Sequence, residues 1–273
     1  MDTLSTEYLR RSDGRVAYDV AGEGPLVVCV PGMGDLRSVY RFLVPALVDA
    51  GFRVATTDLR GQGDSDSSFD SYDDVAVGTD LLALIEQLGG PAFLAGNSLG
   101  AGAAAWAAAE DPDSVAGLVL IDPFVRNPPT SFWKMLLFRV ALRRPWGYAA
   151  FKSYYSSSYP GRPPADLPEH LDKIGESLHR PGHWRAFAAI THSSHAPVEA
   201  RLSEVRAPTL ILMGDKDSDF DDPTGEAKLL GERLGATVKM VPDAGHYPQA
   251  EYPEVVSPLI ADFLRAHSTT KAV

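Results

Sequence analysis

The run Gly96-Asn97-Ser98-Leu99-Gly100 follows the apolar stretch 91–95 and leads into the small-residue run 101–107. A short buried strand, a turn with glycine on both sides and then a helix constrain a chain strongly, because they seat a serine in a strained turn at a strand end. Glycine is needed on either side, since a Cβ at those positions would collide with the backbone of the turn. The hydroxyl is thereby pushed out of the sheet, and the following helix aims its free N–H groups at negative charge developing beside it. A glycine-rich connection packed closely on a sheet has the same local pattern. An acid and a histidine placed later in the chain decide between the two.

The surrounding chain alternates strand and helix. Residues 7–11 and 16–21 flank the turn signal Ser12-Asp13-Gly14 and predict an opening antiparallel hairpin. Residues 26–30 form an apolar run of the kind buried on both faces of a parallel sheet, ending in Pro31-Gly32-Met33-Gly34. A helix is predicted over 36–50, stopped by Gly51 and bent or shortened by Pro45; a strand over 53–58 precedes the polar loop 59–66. A helix over 73–88 then leads to the strand before Ser98, and a further strand covers 117–121. This alternation predicts a parallel sheet covered on both sides.

From Val125 to Arg206 the alternation breaks. The stretch is rich in aromatic residues and punctuated by prolines, with helices predicted over 130–143, 145–156, 167–179 and 182–192. Strands at 209–213 and 237–241 and helices at 224–234 and 254–267 resume the pattern. We therefore read residues 1–124 and 207–273 as one α/β core domain and 125–206 as a helical lid inserted into it. The sheet is expected to supply the chemistry and the lid the choice of substrate. On that reading the geometry around Ser98 does not depend on the lid.

Composition narrows the function classes. Over 273 residues the formal net charge is −11, which disfavours nonspecific binding to nucleic acid. The first residues carry neither a basic nor an apolar leader segment, and no stretch approaches the length of a membrane span, so a soluble, cytoplasmic protein is expected. The single cysteine, Cys29, lies in an apolar strand and reads as a small core residue. No Cys/His cluster or phosphate loop suggests a metal or nucleotide cofactor. Residues 125–190 hold ten basic side chains against four acidic ones. Arg139, Arg143, Arg144 and Lys152 could draw in anions, or could lie over the apolar lid while pairing with the acidic core.

Two further motifs meet the serine. The strand at 209–213 runs into Gly214-Asp215-Lys216-Asp217, and the strand at 237–241 leads to Asp243-Ala244-Gly245-His246-Tyr247. Both lie at the carboxyl ends of strands, where an open α/β sheet gathers its ligand site. A histidine there can take a proton from serine if a carboxylate fixes its tautomer, and the order Ser98, Asp217, His246 completes such a relay.

At these residues the sequence resembles the α/β-hydrolase family over nearly its whole length. The resemblance rests on Gly96–Gly100, the loop 58–65, Gly214–Asp217 and Gly245-His246 with Glu251–Glu254. It implies a mostly parallel eight-stranded sheet with helices on both faces, a lid after the sixth strand, and Asp217 rather than Asp215 as the acid. Family members lacking that acid sometimes carry it after the sixth strand, which is Asp122 here. The usual His-Gly of the oxyanion turn is replaced by Pro31-Gly32, and the N–H groups of Met33 and Leu99 are expected to form the oxyanion hole. Three functions are compatible with these residues. The first is hydrolysis of an apolar or aromatic carboxylic ester. The second is C–C bond hydrolysis of the meta-cleavage-product type, which Asn97 resembles but Tyr247 does not. The third is slow-turnover ligand sensing.

Overall fold

A computed structural model of the chain describes residues 5–127, 137, 140–143 and 145–268. Eight strands form one sheet: β1 (Glu7–Arg10), β2 (Arg15–Ala21), β3 (Leu26–Val30), β4 (Arg53–Thr57), β5 (Ala92–Asn97), β6 (Val115–Ile121), β7 (Thr209–Gly214) and β8 (Thr237–Val241). Their order is β1-β2-β4-β3-β5-β6-β7-β8. β1 pairs antiparallel with β2 and β2 with β4, and every other pairing is parallel. The expected α/β-hydrolase fold is therefore present.

Alternate residues of the central strands face opposite layers, as the period of a strand requires. Val28, Val30, Leu94, Leu118 and Leu120 pack into one core, while Val27, Cys29, Phe93, Val119 and Ile121 pack into the other. Burial pushes the Cys29 thiol up to about 12, so it behaves as a core group rather than a nucleophile.

Helices follow the strands. α1 (Leu43–Asp49) is shorter than the sequence predicts, because a 3₁₀ turn at Arg37–Tyr40 precedes it. Pro45 explains the late start: a proline lacks an N–H, so it fits only within the first turn, and it is the third residue of α1. α2 (Asp74–Leu88) is capped by the Asp73 carboxylate, which accepts the Ala76 N–H at 2.9 Å, and is closed by Gly89 at φ +81°. α3 (Leu99–Glu110) is almost wholly buried, which accounts for its run of alanines. Gly78 of α2 lies so close to Trp106 of α3 that no Cβ would fit.

Between β6 and β7 the described chain adds α4 (Gly147–Ser157), α5 (Leu167–His179), α6 (His183–Ile190) and α7 (Ala196–Glu199). Most of the helix predicted over 130–143 lies outside the described residues, as do Arg139 and Arg144. Phe151 and Tyr155 of α4 and Phe187 of α6 are fully buried in the second core. Each contributes on the order of 1.5–3 kcal/mol through burial. Several basic side chains of this segment pair with acids of the sheet domain, namely Arg126 with Glu226, Arg162 with Glu254 and Arg180 with Asp64. Lys152 pairs with Asp172 inside the segment at 3.3 Å. α8 (Pro223–Leu234), α9 (Pro248–Glu251) and α10 (Pro253–His267) complete the chain. Among the described residues no helix is long and apolar enough to cross a membrane.

Candidate active site

Ser98 joins β5 to α3 at φ 57° and ψ −122°, a conformation costing a non-glycine residue on the order of 1–3 kcal/mol. Its surroundings enforce it. The Ser98 N–H donates to Ile121 O at 3.0 Å, and Ser98 O accepts from Phe124 N at 3.2 Å. A Cβ on Gly96 would strike Gly100 O, and one on Gly100 would lie 2.5 Å from both Val30 O and Pro31 O. The Pro31–Asp35 turn passes beside the serine, since a Cβ on Gly32 would stand 2.9 Å from Ser98 Cβ. Met33 follows in that turn, half-buried, and Leu99 begins α3, whose first N–H groups have no partner within the helix.

His246 lies in the loop after β8 and is 3% exposed. Its Nδ1 is 2.7 Å from Asp217 Oδ2, and the other Asp217 oxygen accepts the Asp219 N–H at 2.9 Å. Asp215 is turned elsewhere, accepting the Asp243 N–H at 2.7 Å. Asp219 is a neighbour of the ring that sequence reasoning misses: its Oδ2 is 3.6 Å from His246 Nδ1 and accepts the Tyr154 hydroxyl at 2.6 Å. Asp122, after β6, accepts the Gly214 N–H at 2.9 Å on Oδ1. Burial disfavours an imidazolium here, but the neighbouring acids, Asp217 first and then Asp219, outweigh it and push His246 up to about 10. With Nδ1 bound to Asp217, Nε2 is the nitrogen left to exchange a proton. Asp122, Asp217 and His246 have donor atoms within 4.8 Å of one another, a set a cation could use only by displacing the Asp217–His246 contact.

The segment between β6 and β7 packs against the histidine loop and the turn at 31–35, whereas the bonds that hold the Ser98 turn itself run to Ile121 and Phe124. The His246 N–H donates to Ser158 O at 3.0 Å, just past α4. Glu251 of α9 clamps the same loop: one oxygen accepts Gly245 N at 2.6 Å, the other Gly161 N at 3.0 Å and Arg162 N at 3.1 Å. The buried Asp35 takes Tyr155 Oη on one oxygen and both Leu36 N and His170 Nε2 on the other, at 2.7–2.8 Å. Gly34, at φ +78°, is pressed against Phe151 and Phe187. Tyr247 stacks on Tyr159 with centroids 4.9 Å apart and planes 13° from parallel. Asn97 is buried and gives its amide to His246 O at 3.0 Å and Ile121 O at 3.2 Å, tying the elbow to the histidine loop.

A separate cavity of about 610 Å³ opens between the 58–64 loop and α5, lined by residues that include Arg37, Arg41, Asp58, Lys173 and Arg180. Neither Ser98 nor His246 lines it. Arg37 is already paired with Asp19, Asp58 and Asp64 there.

Comparison with known proteins agrees with this architecture. The sequence profile of the Alpha/beta hydrolase family matches residues 27–259. 2-(Acetamidomethylene)succinate hydrolase of Mesorhizobium japonicum is 30% identical, with 97% of this chain and 98% of that protein covered. 2-Hydroxy-6-oxo-6-phenylhexa-2,4-dienoate hydrolase of Comamonas testosteroni is 29% identical, covering 93% of this chain and 92% of its own. The solved structure of a thermophilic esterase from Thermogutta terrifontis superposes with a TM-score of 0.78 at 26% identity, over 97% of this chain and all of that one. The chain belongs to the α/β-hydrolase family. It is an enzyme with hydrolase activity of that type.

Proposed function

We propose that the protein is a serine hydrolase of small carboxylic esters, with Ser98 as nucleophile, His246 as general base and Asp217 as the acid that orients it. The observation carrying this reading is the buried 2.7 Å contact of His246 Nδ1 with Asp217, in a loop that Asn97 ties to the strained serine turn. Ser98 Oγ attacks the acyl carbon as His246 Nε2 takes its proton. The N–H groups of Met33 and Leu99 receive the oxyanion. His246 then protonates the leaving alcohol, and water resolves the acyl-enzyme along the reverse path. Residues 125–206 act as the lid over this site, and their aromatic faces select the acyl or alcohol group.

Hydrolysis of a C–C bond in a dienoic diketone acid is the second reading, favoured by the Comamonas relative. Against it, the Asn97 amide is committed to two backbone carbonyls. A panel of short and long p-nitrophenyl esters beside a dienoic diketone acid separates the two, and turnover of the acid alone would overturn the ester assignment.

The base must be neutral at Nε2, so kcat/KM for an uncharged ester is expected to rise with pH. Because the surrounding acids raise His246 from the ordinary 6.5, the limb should lie on the alkaline side of that value. A limb at or below 6.5 would mean that these carboxylates do not act on the base.

A further inference from the structure

Asp122 is the buried acid that the proposed ester hydrolysis leaves unused. It stands at φ 43°, outside the ordinary backbone range of a non-glycine residue, and is fully buried. Three bonds fix it there. Its N–H donates to Leu212 O at 2.9 Å, its Oδ1 accepts the Gly214 N–H at 2.9 Å, and the Ser98 N–H is held by the carbonyl of the preceding residue, Ile121. Its Oδ2 is buried and receives no donor. The titratable groups gathered around it are Asp217 from the turn after β7 and His246 from the loop after β8, while Asp219 stands beside His246 and takes the Tyr154 hydroxyl of α4.

An ionised carboxylate there would direct a buried oxygen, without a protein donor, at a region that already holds the Asp217 charge. A buried charge without a partner costs several kcal/mol, and two facing carboxylates do not both stay ionised. Asp217 is the one fitted to remain charged, because its oxygens accept from His246 Nδ1 and from Asp219 N. A proton on Asp122 Oδ2 turns the repulsion into a charge-assisted hydrogen bond and supplies the missing partner.

We propose that Asp122 is a protonated positioning residue whose Oδ2–H donates to the Asp217 carboxylate, sharing Asp217 with His246 and holding it in register for the relay. Burial and the Asp217 charge raise Asp122 well above the usual carboxylate range, while His246 holds Asp217 below it against the opposing effect of burial. The two acids thus divide into one neutral and one ionised member, the pattern by which paired carboxyl groups take different roles. A neutral Asp122 also adds no charge to those of Asp217 and Asp219 beside His246, which keeps the base usable nearer neutral pH.

The inference rests on the proposed Ser98–His246–Asp217 relay, so its test needs one arm independent of turnover. Difference infrared spectra of the whole protein at pH 7 are expected to show the carbonyl stretch of a buried protonated carboxyl group. The band should vanish in Asp122→Asn and persist in Ser98→Ala. Its absence from the wild type, or its survival in Asp122→Asn, would overturn the proposal whether or not esters are hydrolysed. The second arm is the acid limb of kcat/KM. Asp122→Ala removes the donor to Asp217, and activity at pH 7 should fall on the order of tenfold as the limb moves to higher pH. Asp122→Asn restores a neutral donor and should return the limb toward its wild-type position. A limb that moves to lower pH in both variants would show that the wild-type group carries a negative charge, and the proposal would fail.

Discussion

Ser98→Ala is expected to lower kcat by on the order of 10⁶ and to abolish covalent labelling by an organophosphonate, while leaving the fold in place. The magnitude follows from serine hydrolases of the same relay, in which losing the nucleophile costs about as much as losing the whole triad. Retention of the fold follows from the local geometry. Alanine keeps the Cβ that already tolerates φ 57°, and the bonds enforcing the turn are from backbone groups of Ser98, Ile121 and Phe124. The label should appear once per chain and map to Ser98 by mass spectrometry. Ser158, the serine beside the histidine loop, turns its hydroxyl back to Tyr154 O at 3.2 Å and is not expected to react. Equal labelling of wild type and alanine variant would sink the assignment.

Asp217→Asn should reduce kcat by on the order of 10⁴, with a far smaller loss for Asp215→Asn or Asp122→Asn. An amide at position 217 can present N–H to Nδ1 and thereby favour the wrong histidine tautomer, which is the source of a loss of that size in serine proteases. Asp219 limits the loss only in part, because its nearer oxygen is 3.6 Å from Nδ1 and already receives the Tyr154 hydroxyl. Asp215 is spent on the Asp243 N–H and has no route to the ring. The check is kcat for the three asparagine variants on one hydrolysed ester, with circular dichroism to confirm folding. A larger loss at Asp122 than at Asp217 would place the orienting acid after β6.

The parts of the fold legible in the sequence are those governed by local pattern. β3 and β8 have the predicted bounds because each is a short run punctuated on both sides, and the cap Asp222 accepts the Gly225 N–H as its position before Pro223 implies. The sequence overstates α1 because Arg37–Tyr40 forms a separate 3₁₀ turn and Leu36 before it is extended. Ser98, Asp217 and His246 can be singled out because each sits in a short motif at a strand end. Asp35 and His170 cannot, being 135 positions apart in the sequence and joined only by the fold. The same holds for Asn97 and His246, 149 apart. Asp219 does carry a signal, two residues beyond Asp217 in one turn, but only the tertiary arrangement brings it toward the ring.

The contacts between the segment after β6 and the loops of the proposed site have a thermodynamic consequence. Ser158 O holds the His246 backbone, and Tyr155 and His170 hold Asp35 at the turn that carries Met33. Displacing α4 and α5 together would therefore release the proposed base and the proposed oxyanion turn at once. On the proposed reading a state with α4 and α5 undocked lacks an assembled site, so its population subtracts from the fraction able to react. A substrate that binds only the docked state draws that population back, so a good fit is rewarded in turnover as well as in binding.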